Sequence, residues 1–264
     1  MQPKTCIYHD DRRRECSRME DVFALAYCTL AATFAKDCSQ GLFREDNKVS
    51  LGPKNGYSLC IRDVDEDFSR DVEQAELNQR GWVFQERALS RRIIHFTATQ
   101  TYWECGKMTS CESADQIHNA VSRDRNPLNS SHFPICDSSG FQHDNSSAFE
   151  YTFTQYSKLS LTYPEDRPLA ITGLETRLED FYTTTSAHGI LEKFFHKSLL
   201  WHRVEDDGLV RIEGFKDLSV PTWSWMAYRG EIGYCALPTR WNGKKKLNSL
   251  MTDLTRKYAH LNLR

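Results

Sequence analysis

Between Lys107 and Ser147 the chain is rich in Ser, Asn, Asp and His, with Pro127, Pro134 and Gly140, and it shows no apolar period of 2 or of 3.6 residues. This stretch limits the fold more than any other feature. A segment without a repeating apolar stripe has no face to bury, so it predicts a long mobile loop or insertion, and the core must be built from what lies on either side. Three parts follow: 1–106, an insertion over 107–148, and a helical and β region over 149–264 packed on the first part.

Upstream, Met19, Val22, Phe23, Ala26, Tyr27, Leu30 and Ala31 recur every three or four positions and predict a helix over Glu15–Thr33. Its apolar stripe reads as core. Thr5–Tyr8 is a short β-prone run, and Asp10 and Asp11 are placed to cap the helix. Cys38–Gly56 reads as connecting structure and Tyr57–Ile61 as a strand. Glu73–Leu89 predicts loose helical turns before Gly81 and a firmer helix after it, and the β-rich runs from Ile93 and from Thr101 predict a hairpin. Downstream, order is expected to resume at Phe149–Leu159, with helices over Asp166–Tyr182 and Leu191–Trp201 and a strand over Leu209–Ile212. Pro221-Thr222-Trp223-Ser224-Trp225 reads as an extended segment with both tryptophans on one side. The basic tail from Lys244 is expected to fray. The fold class is α/β or α+β.

Hydrophobic residues make up 39% of the 264, enough for a core without a metal or disulfide staple. The net charge is −2 with both signs interspersed, which disfavours a nucleic-acid partner. Apolar runs such as Val22–Ala35 are too short and too interrupted to span a bilayer, and the polar first residues offer no secretory core, so a cytoplasmic protein is expected. Nine cysteines with no Cys-x-x-Cys pair read as reduced thiols. Cys105, Cys111, His118, His132, Cys136 and His143 are spaced too irregularly for a zinc site, and no cofactor is expected.

The densest constellation is Arg80-Gly81-Trp82-Val83-Phe84-Gln85-Glu86-Arg87-Ala88-Leu89-Ser90, followed by Tyr102-Trp103-Glu104-Cys105. The order Gly-Trp-x-x-Gln-Glu-Arg-x-Leu-Ser and then Tyr-Trp-Glu-Cys resembles the core signature of the fungal heterokaryon-incompatibility (HET) domain. Cys6-Ile7, Asp10-Asp11, Glu15, Ser17, Met19 and Gly41-Leu42-Phe43 are similar to the preceding segment of that family. Tyr156-Ser157, Asp166-Arg167, Leu199-Leu200-Trp201 and Pro221-Thr222-Trp223-Ser224-Trp225 resemble the region that follows the module. The upstream Leu-Ser-Tyr-Cys-Trp-Gly-like segment has no counterpart here, so the chain is expected to lack the N-terminal part of the module.

The resemblance implies a cytoplasmic fungal protein of nonself recognition and programmed cell death, signalling through a protein partner or self-association. It also implies a layer related to Toll/interleukin-receptor (TIR) domains. Some TIR domains cleave NAD with a helix-borne glutamate; Glu15 holds the similar place and is the catalytic candidate, with NAD as substrate in that case. The expectation for the motif residues is structural: Trp82 and Trp103 pack between helix and hairpin, while Gln85, Glu86 and Glu104 satisfy buried arginine or backbone groups. Arg80, Gly81, Arg87, Cys105, Trp223 and Trp225 complete that set.

Overall fold

Alternating residues in Arg92–Phe96 (β4) and Thr101–Cys105 (β5) are joined by the polar link 97–100, and they fold as an antiparallel hairpin. Thr97 closes the turn: its N–H and its hydroxyl both donate to the Gln100 carbonyl, at 3.1 and 2.6 Å. In the computed structural model the described residues are 16, 18–37, 39–42, 49–54, 57–61, 67–105, 108–112, 147–204, 210–215 and 220–235. The hairpin register sets Ile93 opposite Glu104 and His95 opposite Tyr102. Thr29–Ala31 (β1) pairs parallel to β4 and Met108–Cys111 (β6) antiparallel to β5, giving a mixed sheet in the order β1-β4-β5-β6. Ile93, His95, Tyr102 and Glu104 share one buried face, whereas Ile94 and Trp103 stand on the other and are half-buried.

The sheet belongs to a first compact unit, 1–136 with 159–161 and 169–174. There the expected helix over Glu15–Thr33 is corrected. Helical residues 18–25 (α1) are followed by a break at 26–28 and then by β1. Tyr27, Cys28 and Thr29 favour extended backbone, and pairing with β4 satisfies peptide groups that a continued helix would have bonded internally. The stripe read as core is not buried as a whole, since Val22, Tyr27 and Leu30 are 54%, 82% and 56% exposed while Met19, Phe23 and Ala26 are half-buried. Two strands were also missed. Val49–Lys54 (β2) pairs with Tyr57–Ile61 (β3) inside the stretch read as connecting structure, and β6 lies within the stretch read as insertion. The turns before Gly81 are a π-helical turn at Ser69–Glu73 and a 3-10 turn at Glu76–Gln79; the firm helix is Gly81–Leu89 (α2).

The second unit comprises 137–158, 162–168 and 175–264. Ser147–Ser157 (α3) presents Phe149, Phe153 and Tyr156 to its interior, all at most 1% exposed. Phe149 stacks on Phe194 at 5.4 Å and meets Tyr234 edge-on at 5.7 Å, and Trp225 lies 5.4 Å from Phe153 and 6.1 Å from Tyr156. Rings of this size bury 150–250 Å² each, so a few of them supply most of a small core, at about 0.5–1.5 kcal/mol per pair beyond the area term. Thr172–Tyr182 (α4) enters this unit at Glu175. The remaining elements are short: hairpin Ser186–Ala187 (β7) with Ile190–Leu191 (β8), helix Phe195–Ser198 (α5), the pair Trp201–Arg203 (β9) with Ile232–Tyr234 (β12), and the pair Val210–Arg211 (β10) with Tyr228–Arg229 (β11). The helix expected over Leu191–Trp201 thus shrinks to a 3-10 turn and one helical turn between strands. Among the described residues no helix is long and apolar enough to cross a membrane. The class is α/β.

Candidate functional site

In the first unit the motif residues sit on α2 and on the hairpin. α2 begins where it does because Gly81 donates its N–H to the Ser160 carbonyl at 2.8 Å, in a close approach that a Cβ would block: it would fall 2.7 Å from a Leu161 methyl. One turn on, Gln85 is fully buried; its Oε1 accepts the Gly173 N–H at 2.8 Å and its Nε2 points to the Met19 sulfur at 3.7 Å. Burial pushes the Glu86 carboxyl up, and the charge of Arg80 partly offsets this. Ser90 ends the helix by donating its hydroxyl to the Glu86 carbonyl at 2.7 Å.

Arg87 reaches the sheet and forms a two-pronged ion pair with Glu104, Nε to Oε2 and Nη2 to Oε1, both at 2.9 Å. Glu104 Oε2 also takes His95 Nε2 at 2.8 Å, and His95 Nδ1 lies 3.2 Å from the Thr33 hydroxyl. Burial alone would raise the Glu104 carboxyl, but the Arg87 charge and the bonds from His95 and Arg87 outweigh it and hold the group at about 2. Burial pushes His95 down against the pull of Glu104, so the imidazole is neutral. Its Nε2–H then donates to the carboxylate and its Nδ1 faces the Thr33 hydroxyl, which also donates toward the Ala31 carbonyl at 3.3 Å. Hydroxyl, imidazole and carboxylate stand in the order of a nucleophile, base and orienting acid. They are sealed, however: Thr33, His95 and Glu104 are 3%, 1% and 4% exposed.

A second network adjoins the first. Asp71 accepts from the Thr99 hydroxyl, from Tyr102 OH at 2.9 Å and from Arg70 Nε at 2.9 Å. Burial pushes Asp71 up, and these donors more than reverse it. Burial together with the Asp71 charge lifts Tyr102 to about 12. Phe68 caps both networks edge-on, 6.1 Å from His95 and 5.5 Å from Tyr102.

In the second unit, Tyr156, Ser157, Arg167, Ser224 and Trp225 converge. Tyr156 OH donates to the Arg167 carbonyl at 2.7 Å, and Arg167 Nη2 to the Ser157 carbonyl at 3.3 Å, while the guanidinium lies 5.8 Å from the Trp225 ring. Trp225 docks on the β7–β8 turn, where His188 and Gly189 have φ of 53° and 76°. A Cβ on Gly189 would lie 2.4 Å from Trp225 Nε1. Ser224 Oγ donates to the His188 carbonyl at 2.7 Å and accepts the Met226 N–H at 3.0 Å, capping the 3-10 turn Trp225–Ala227. From α4, Glu175 takes the Gly189 N–H at 2.7 Å and Glu179 takes the Ser186 N–H at 2.5 Å, so two carboxylates grip the hairpin. Burial pushes Glu175 up to about 7; the Gly189 N–H opposes this and the Glu179 charge adds to it.

Residues 4–86 match the family model Heterokaryon incompatibility protein (HET). No curated protein and no solved structure matches the chain. The HET match ends within α2, at Glu86, so Gly81, Trp82 and Gln85 fall inside it and the Arg87–Glu104–His95 network falls just beyond. Glu15, which also falls inside the HET match, lies outside the described residues, as do Thr5–Tyr8, Asp10, Asp11, the residues 113–146 and the tail from 236. Of the cysteine and histidine set in and around the insertion, only Cys105 and Cys111 are described; both are half-buried, and among the described residues no His, Cys, Asp and Glu cluster could hold a metal.

Two expectations for the tryptophans are corrected. Trp103 does not meet Trp82 between helix and hairpin. The β pleat sends Glu104 toward Arg87 on α2, so its neighbour Trp103 points to the opposite face, where with Ile94, Thr101 and Ser110 it lines a groove of about 380 Å³. Trp223 and Trp225 do not share a side either. Ser224 starts a helical turn between them, leaving Trp223 48% exposed and Trp225 fully buried. Cys105 ends β5 half-buried, opposite Arg92 and Met108. Thr33, Asp71, His95, Glu175 and Gly189 were not singled out from sequence. His95 could have been, since hairpin alternation alone puts it on one face with Glu104.

Proposed function

We propose that this chain is a signalling and interaction module of fungal nonself recognition and programmed cell death, working in the cytoplasm through protein contacts and not through catalysis. The HET match carries this reading and supports a heterokaryon-incompatibility-type protein. The state of the motif's polar groups adds to it. Arg87, Glu104, His95 and Thr33 are joined in series inside the first unit, with Thr33, His95 and Glu104 at most 4% exposed, which is what a fold-specifying interior needs and gives a substrate little approach to the hydroxyl. In this reading 1–106 is the later part of a HET module, the parallel β1–β4 pair belongs to a TIR-like layer, and 149–264 is the region that follows the module.

The test has two arms. Expression of the chain in a fungal host is expected to cause cell death, while purified protein incubated with NAD is expected to leave it intact, with Glu15→Ala indistinguishable from the parent. NAD cleavage that disappears in Glu15→Ala would replace this reading with a TIR-like NAD-cleaving effector. Absence of death on expression would remove the signalling role.

A further inference from the structure

Among the described residues Cys235 is the exposed cysteine; Cys16 is buried, and Cys28, Cys105 and Cys111 are half-buried. Its N–H donates to the Leu200 carbonyl at 3.0 Å, so the β9–β12 pairing runs one residue past Tyr234. In that register Gly233 stands directly opposite His202. The pleat then puts His202, Val204, Gly233 and Cys235 on one face of the ribbon, and Trp201, Arg203, Ile232 and Tyr234 on the other. Burial follows the same division: Ile232 is buried, whereas His202, Val204 and Cys235 are exposed.

On the exposed face Cys235 is the diagonal neighbour of His202, and its Sγ lies 3.7 Å from the His202 Nδ1. The glycine beside them makes the approach possible. A Cβ at Gly233 would fall 3.1 Å from both Cε1 and Nε2 of the imidazole, so a side chain there would displace the ring. A thiol beside an imidazole is a nucleophile beside a base. Thiolate, not thiol, attacks sulfur, and Nδ1 is placed to take the proton that Cys235 must give up. Cys28 shows the opposite environment: its Sγ donates to the Thr29 carbonyl at 3.6 Å, and burial pushes the thiol up against the pull of the Ile94 backbone and the Arg92 charge. Further along the exposed face, Glu231 is paired with Lys158 at 3.2 Å.

We propose that Cys235 and His202 form a thiol-modification site for a small disulfide of the glutathione disulfide class, with Cys235 as nucleophile and His202 as its base. The imidazole takes the Cys235 proton, the thiolate attacks one sulfur of the small disulfide, and the S–S bond of that molecule breaks. The thiolate that leaves recovers the proton from His202. The products are a mixed disulfide on Cys235 and one small thiol, and excess thiol reverses the step. This site goes beyond the proposed signalling role and does not depend on it.

The test incubates the full chain with glutathione disulfide and follows each cysteine by mass spectrometry of its peptide, at pH 7 and pH 9.5, in the parent and in His202→Gln. At pH 7 the parent is expected to modify Cys235 roughly tenfold faster than Cys28 or Cys105. His202→Gln is expected to remove most of that advantage at pH 7 and little of it at pH 9.5, where an ordinary thiol ionises without a base. Unchanged rates at Cys28 and Cys105 in the variant show that the fold is kept. Modification of Cys235 no faster than Cys28 in the parent would overturn the site. A pH 7 rate that His202→Gln leaves unchanged, or a loss equal at both pH values, would overturn the role of the imidazole and the proposal with it.

Discussion

The first unit buries charge and the second buries aromatic rings. Around α2 and the hairpin, the interior is an arginine, a glutamate, a histidine and a threonine in series, each satisfied by the next. Around α3, it is a set of rings, stacked, edge-on or tilted, with buried Ser157 and Arg167 and the hairpin turn that Trp225 covers as its polar points. The difference teaches where each is fragile. A buried ion network fails when one partner is removed, because the others are stranded in a place that water does not reach. A ring cluster yields more gradually, except where one position admits a single residue type.

The sharpest way to break the comparison is Glu104→Gln. Arg87 and His95 would lose their shared carboxylate inside the first unit, and the expected loss is about 3–5 kcal/mol, read from the urea midpoint. Arg87→Met together with Glu104→Leu should recover part of it, since removing both partners leaves no stranded charge. If Glu104→Gln proved neutral, charge would not be what holds this unit. In the second unit the counterpart is Gly189→Ala. Its φ of 76° and the 2.4 Å approach of Trp225 Nε1 combine strain with overlap, for an expected loss of about 2–3 kcal/mol. Trp225 emission should shift to the red as the indole is lifted from the turn.

Much of this contrast was open to a reading of the sequence. The hairpin, α2 and α4 followed from apolar period and from the polar link 97–100, because local spacing decides them. The α1–β1 boundary did not follow. Leu30 and Ala31 continue a helical stripe on paper, and only pairing with β4, more than sixty residues away, makes them a strand. The same holds for β2, where Val49–Lys54 carries Gly52 and Pro53 and becomes a strand through β3. The tryptophans failed for a different reason. Trp82 and Trp103 were placed by residue type, whereas the pleat places Trp103 by parity, and the parity had already been spent on Glu104. Glu175 left no local signal, because its acceptor role depends on a turn fourteen residues on.

Acidity should separate the two units without any substitution. His95 is held below its ordinary value, so between pH 6.5 and lower values the unfolded chain takes up a proton that the fold resists, and the first unit loses stability as pH falls. Glu104, held at about 2, extends that loss below pH 4.5. Glu175 runs the other way. Held at about 7, it keeps its proton in the fold where the unfolded chain releases it, so the second unit loses stability as pH rises from 4.5 to 7 and regains it on acidification. Hydrogen exchange corrected for intrinsic rates, from pH 7 to 4.5, is expected to show protection falling over 92–105 and rising over 186–191. Parallel changes in both segments would mean that one cooperative unit, not two, titrates.

The smallest effect tests the most local contact. Ser224→Ala removes the donor to the His188 carbonyl and the cap on the Met226 N–H, both at a residue with no solvent exposure. Loss of one cap of this kind costs about 1 kcal/mol, and the stranded carbonyl adds to it only if water fails to reach the turn. The value therefore measures how dry the Trp225 docking site is. A loss near 1 kcal/mol with unchanged Trp225 emission would mean that water replaces the hydroxyl. A loss above about 2 kcal/mol would mean that the turn is sealed, and that the second unit depends on its few buried polar contacts as much as the first depends on its ion network.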